Sequence, residues 1–195
     1  MRRAALAAGL LCYATSGAEA HNVIPGTSGF TGGLLHPLLV PSHVLALIAL
    51  GLLIGAFRRR TQFALLAAFV IASLASFALI AMAYSASRAE TLILCLAAVT
   101  GLMLAANLAL SAPFCAALAA FMAAAILFDS VPSVLTVRET ALSLAGTVLS
   151  AVAILAATAG ISAALPPSVK TIAVRIAGSW IAASAVMVLA LRLSA

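Results

Sequence analysis

A chain of 195 residues that is 66% hydrophobic and only 7% charged stands far from soluble domains, which run at about 45–50% and about 25%. That ratio excludes an ordinary water-soluble globule, whose elements must each show a polar face to solvent. The formal net charge of +6 does not point to nucleic acid either. The basic residues stand singly or beside apolar runs, with no basic face interleaved with aromatics, and basic residues at the ends of apolar segments are what orientation in a bilayer requires.

Residues 1–20 read as a secretory signal peptide. Arg2 and Arg3 form the positive start, Ala4 to Tyr13 the short apolar stretch, and Ala18-Glu19-Ala20 a small-x-small cleavage site. The apolar stretch is too short to span a bilayer, and Cys12, preceded by two leucines, lacks the small residue expected before a lipoprotein cysteine. The mature chain is therefore expected to begin at His21 and to form a single transmembrane domain over 21–195.

From His21 to Leu35 the chain is rich in Gly, Ser and Thr and reads as an extracytoplasmic loop. Six apolar runs follow, near 37–57, 62–84, 91–110, 112–128, 140–161 and 171–192. At about 1.5 Å rise per residue, five are long enough to cross a hydrocarbon core of about 30 Å, and the shorter fourth is near the lower limit of about 17 residues. Helices are the expected form, because a lipid-embedded segment must satisfy its own backbone hydrogen bonds, and the alternating polarity of a barrel is absent. The fold class is thus all-α: a polytopic integral membrane protein with about six transmembrane helices.

Basic residues set the orientation. Arg58-Arg59-Arg60, between the first two runs, marks a cytoplasmic turn, and counting outward from it places Lys170 and Arg175 on the same side. The 85–90 and 129–139 loops then lie outside, with Glu90, Asp129 and Glu139. A bacterial inner-membrane location with a periplasmic mature N-terminus follows. Gly51 and Gly55 form a GxxxG step in the first helix, where small residues allow close helix approach. Asn107 falls inside the third run, where a buried amide needs a partner.

Little of the chain offers chemistry. Cys95 and Cys115 lie in apolar runs without metal-ligand spacing and read as packing residues. There is no Walker loop, nucleophile elbow or Cys/His zinc pattern, and no acid–base pair inside the helices, so no enzyme and no tightly bound cofactor is expected. The exception is the exported end: all three histidines, His21, His36 and His43, lie between residues 21 and 43. A mature N-terminal His21 would pair an α-amine with an imidazole, a divalent-metal chelate. On a straight helix His36 and His43 would stand about 10.5 Å apart along the axis, too far for one ion with bonds of about 2.0–2.1 Å. Pro37 and Pro41 interrupt helix hydrogen bonding, and a non-helical entry would let His36 fold back toward His43.

Ala20-His21, Gly32-Gly33, His36-Pro37-Leu38, His43 and Leu45-Ala46 through Gly51 together resemble the first-helix layout of the HupE/UreJ family, hydrogenase and urease accessory membrane proteins regarded as nickel or cobalt permeases. That family carries His-x5-Asp-His after a glycine-rich lead; the motif's Asp is Ser42 here. Its second signature, Phe-His-Gly-x-Ala-His-Gly-x-Glu, registers best on Phe121 to Asp129, with Phe121 and Ala125 kept, Asp129 in place of Glu, and Met122 and Ile126 in place of both histidines. The resemblance implies a permease that captures a transported or transiently bound divalent metal, nickel or cobalt, on the periplasmic side. Its candidate ligands are His21, His36 and His43, with Ser42 as a weak partner and Asp129 as a second site. Two other readings stay open: a non-transporting scaffold for metalloenzyme assembly, and a copper-handling variant using Met122, a soft ligand suited to Cu(I). The expected partners are the lipid bilayer and the metal ion, with a homo-oligomer or metalloenzyme accessory proteins as further candidates.

Overall fold

The structure, a computed structural model, describes residues 29–82, 88–132 and 135–194. The expected signal segment, its cleavage site and His21 lie outside the described residues. The regular elements among them are all helices, with no strand: α1 Gly29–Leu39, α2 Pro41–Ile54, α3 Arg59–Ala81, α4 Ala89–Ala105, α5 Ala112–Asp129, α6 Val137–Ala164 and α7 Pro167–Leu193. Four of these, α3, α5, α6 and α7, are long and apolar enough to cross a membrane, and the bent pair α1–α2 would make a fifth. Helix α4, at 17 residues, sits at the lower limit of about 17 for a span.

Local chemistry explains where several helices begin and end. Prolines open α2, α5 and α7, where a missing N–H costs nothing because the first-turn donors have no intrahelical partner. Helix α6 opens with a capping box: Glu139 N–H donates to Thr136 Oγ1 at 3.3 Å, while Thr136 N–H donates to Glu139 Oε2 at 3.2 Å. Helix α4 stops at Ala105, short of the run that extends to 110. Asn107 lies beyond its end with φ +52°, and Leu108 N–H reaches Met103 O at 3.1 Å while Asn107 N–H reaches Leu104 O at 3.0 Å. That is a Schellman motif, with Asn in the left-handed position usually held by Gly. Asn107 is therefore not the interior helix amide expected from the apolar pattern; it is an exposed terminator.

Helix α2 is the centre of the bundle. It packs against α1, α4, α5, α6 and α7, and Leu47, Leu50 and Ile54 along it are completely buried. The bundle is apolar outside as well as inside: Phe63, Ile71, Leu74, Phe121 and Trp180 are all exposed. An apolar rim around an apolar core suits lipid rather than water. Lipid supplies no hydrophobic drive between helices, so association rests on close approach, and the Gly51/Gly55 step shows where. A Cβ on Gly51 would lie 2.7 Å from Thr158 Cβ, and one on Gly55 would lie 2.6 Å from Ser162 Cβ. Both glycines face α6. At the far end of α2, Lys170 Nζ donates to Gly55 O at 2.7 Å, a cation at the negative end of a helix dipole. Helices α4 and α7 are pinned at their two ends by the Glu90–Arg192 ion pair and by Arg175 Nε, which donates to Ala105 O at 3.0 Å.

Candidate metal site

The first apolar run does not fold as one helix over 37–57. It breaks at Val40, and α1 and α2 meet at 74°. Pro41 is the cause. A residue before proline is pushed out of the helical region, and Val40 accordingly sits at φ −93°, ψ 109°. Pro41 has no N–H to continue the ladder, so α2 starts afresh: the Val40 carbonyl accepts from His43 N–H at 3.0 Å and Val44 N–H at 3.1 Å. The entry to α2 is itself helical rather than irregular. The lead expected as loop up to Leu35 is in helix α1 from Gly29 onward, and the bend is confined to one residue.

This break decides what the histidines can do. His36 lies in the last turn of α1 and His43 in the first turn of α2. On one straight helix they would be about 10.5 Å apart along the axis. Across the bend their ring centroids are 5.1 Å apart, edge to face, with the planes at 76°.

Asp129 completes the group. It is the last residue of α5, where the helix closes on Ser130 Oγ donating to Ile126 O at 2.6 Å. The sequence pattern puts Asp129 in a solvated outer loop, as a second site apart from the histidines. The structure corrects both points: its side chain is only 8% exposed and its Oδ2 lies 2.9 Å from Nε2 of a fully buried His43. One ligand atom from each of His36, His43 and Asp129 can be chosen so that all three lie within 4.8 Å of one another.

A carboxylate only accepts, so a neutral His43 bonded to Asp129 carries its hydrogen on Nε2; ligation of one ion by both groups requires the other tautomer, with the hydrogen on Nδ1 and the Nε2 lone pair on the ion. That Nδ1 is buried and makes no hydrogen bond to a described residue. Ionisable groups inside a membrane domain are costly to bury unless paired and are by default functional candidates; His43 and Asp129 meet both conditions. Ser42, the third candidate from this segment, is 4% exposed, and its Oγ makes no hydrogen bond to a described residue. Met122 and Ile126 are completely buried in the apolar core, and neither belongs to the three-residue group.

Sequence reading alone passes over Thr147. Pro37 lies inside α1, and the N–H it lacks is the one that would bind Gly33 O, four residues back. Thr147 Oγ1, from α6, donates to that carbonyl instead at 3.2 Å. The signal in the chain is a proline four residues after a glycine in a helix; which hydroxyl answers it is decided only by packing.

No curated protein and no solved structure matches the chain. A family model described as HupE / UreJ protein matches residues 9–188, a stretch that holds α1 to α6, most of α7, and all three residues of the cluster. The chain belongs to the HupE/UreJ family, a family of membrane accessory and permease-type proteins.

Proposed function

We propose that this protein is a HupE/UreJ-type carrier of a divalent transition metal, nickel or cobalt by family, which holds its ion between His36, His43 and Asp129. The observation that carries the reading is the convergence of two imidazoles and a carboxylate, from three helices, at the break of a helix. Imidazole with a single carboxylate is a borderline ligand set that suits nickel, cobalt, copper or zinc better than magnesium or calcium. The fit is close. Ligands on opposite sides of one ion with bonds of about 2.1 Å stand about 4.2 Å apart, so donors within 4.8 Å need to close by roughly 0.6 Å, a side-chain adjustment. Discontinuous helices are also where secondary transporters bind substrate, because half-helix ends and freed backbone groups line the site.

Arg58-Arg59-Arg60 follow the far end of α2 and orient that end toward the cytoplasm of a bacterial inner-membrane protein. The cluster at the start of α2 then faces the periplasmic side. Carriage without a nucleotide motif is secondary or facilitated. The test is metal accumulation: cells expressing the wild-type chain should take up more nickel or cobalt than cells lacking it, and His43→Ala should abolish the difference. Equal accumulation in all three strains would refute transport.

One observation favours a second reading. The two positions that carry histidine in the family's second signature are Met122 and Ile126, both sealed in the apolar core. A scaffold for metalloenzyme assembly would bind metal or partner without moving the ion, and it predicts no accumulation together with co-purification of a metalloenzyme. Accumulation of copper alone would favour the Met122-based variant.

A further inference from the structure

We propose that Thr147 is a positioning residue for the metal site, holding His36 within reach of His43; this rests on the metal-site reading above. The mechanism starts from a defect in α1. Pro37 removes the donor for Gly33 O, and Pro41 removes the next continuation at the break, so the turn bearing His36 lies between two gaps in the helical ladder. Helix α1 keeps the bond from Val40 N–H to His36 O at 3.1 Å but lacks the two that these prolines remove.

Helix α6 supplies what is missing. Thr147 is completely buried, and its Oγ1 donates to Gly33 O at 3.2 Å, one turn before His36. Around this bond the two backbones touch. A Cβ on Gly33 would overlap the Ser143 carbonyl, and a Cβ on Gly146 would overlap the Phe30 carbonyl and lie 2.8 Å from Leu34 N. Helix α6 also carries α2, through Gly51 and Gly55 on Thr158 and Ser162. Both halves of the broken helix thus lie on one rigid spine, and α6 fixes the 74° between them. A directional contact on the α1 side is the Thr147 hydroxyl. Freed helix carbonyls in membrane proteins are re-satisfied by Ser or Thr of neighbouring helices; here that repair also sets the distance between two ligands.

The role is testable because it can be cancelled at its source. Purified full-length protein is titrated with cobalt(II), read by its visible ligand-field bands, which report the coordination number and geometry of the ion. Thr147→Val keeps the side-chain shape and loses the hydrogen bond. It should weaken cobalt binding about 10- to 100-fold, the range for groups that orient metal ligands, with a spectrum like that of His36→Ala. Thr147→Ser should bind like wild type. Pro37→Ala gives residue 37 an N–H for Gly33 O, so Pro37→Ala/Thr147→Val should regain wild-type binding. Thr147→Val added to His36→Ala should cost nothing further, since both act on one ligand. Wild-type binding by Thr147→Val would overturn the proposal, as would a loss that Pro37→Ala does not relieve or that persists in full on His36→Ala. Where Thr147→Val alone fails to fold, Pro37→Ala is compared with Pro37→Ala/Thr147→Val: equal binding supports the proposal and a loss overturns it. Unchanged binding in both His36→Ala and His43→Ala would instead sink the metal site itself.

Discussion

Replacing Asp129 by Asn separates its role as a metal ligand from its role as a partner of His43. Asn keeps the shape and an oxygen that can accept from His43 Nε2, now 2.9 Å from the carboxylate, but it removes the charge that would face the ion. Losing even a group that merely orients a ligand weakens metal binding about 10- to 100-fold, or roughly 1.4 to 2.7 kcal/mol, and a direct ligand should cost at least that. Folding should be nearly untouched, because the buried hydrogen bond survives. Asp129→Leu is the contrasting variant. It leaves Nε2 of a fully buried ring with no acceptor, a defect of about 1–3 kcal/mol, so both metal affinity and thermal stability should fall. Isothermal titration with nickel or cobalt and a detergent-phase melting curve on the same preparations read both quantities. Wild-type affinity in Asp129→Asn would remove the carboxylate from the ion, and equal melting of the Asn and Leu variants would show that the His43 contact contributes nothing to the fold.

Further outcomes follow from the same geometry. His36→Ala and His43→Ala should each lose most of the nickel or cobalt affinity and the double variant little more, as ligands of one ion are not additive; binding to all should weaken as pH falls, because protons compete for the imidazole lone pairs. A reporter fused after Arg60 should read cytoplasmic and one fused near residue 133 periplasmic, and the opposite result at both sites would overturn the orientation. Mass spectrometry of membrane-extracted protein should find His21 at the N-terminus, and a retained Met1–Tyr13 segment would remove the α-amine from the site.

The membrane class and the helical runs were legible because bilayer spans are written in composition, which packing does not alter. The ends were less so. Apolarity continues past Ala105, yet α4 stops there because Asn107 accepts the left-handed conformation that closes a Schellman motif. Position 107 is read correctly only if Asn is treated as a helix terminator rather than as a polar intruder. The Thr136/Glu139 capping box, by contrast, is plain in the sequence Thr-Val-Arg-Glu. His36, His43 and the two prolines signalled a break between the histidines, but not its angle. More than a hundred residues away, α6 packs on both halves at Gly33 and Gly55, contacts that no local pattern records.

Asp129 shows how a cluster of candidate ligands can keep a carboxylate when its signature changes. Position 42 holds Ser instead of the motif's Asp, and a reading along the first helix alone leaves the histidines without a carboxylate. Helix α5 ends where Asp129 meets the same imidazole from another direction, so the cluster regains one negative charge through space. Two neutral imidazoles and one carboxylate leave a divalent ion with a formal charge of +1 in a buried setting. Burying that residual charge is costly, which caps the affinity below what a second acid would give. Weak retention hinders a resident cofactor, but it favours an ion that must leave again, since conduction and carriage require binding strong enough to enter and weak enough to release. On the proposed reading, the ligand count of this cluster is therefore better matched to passage of an ion than to its storage.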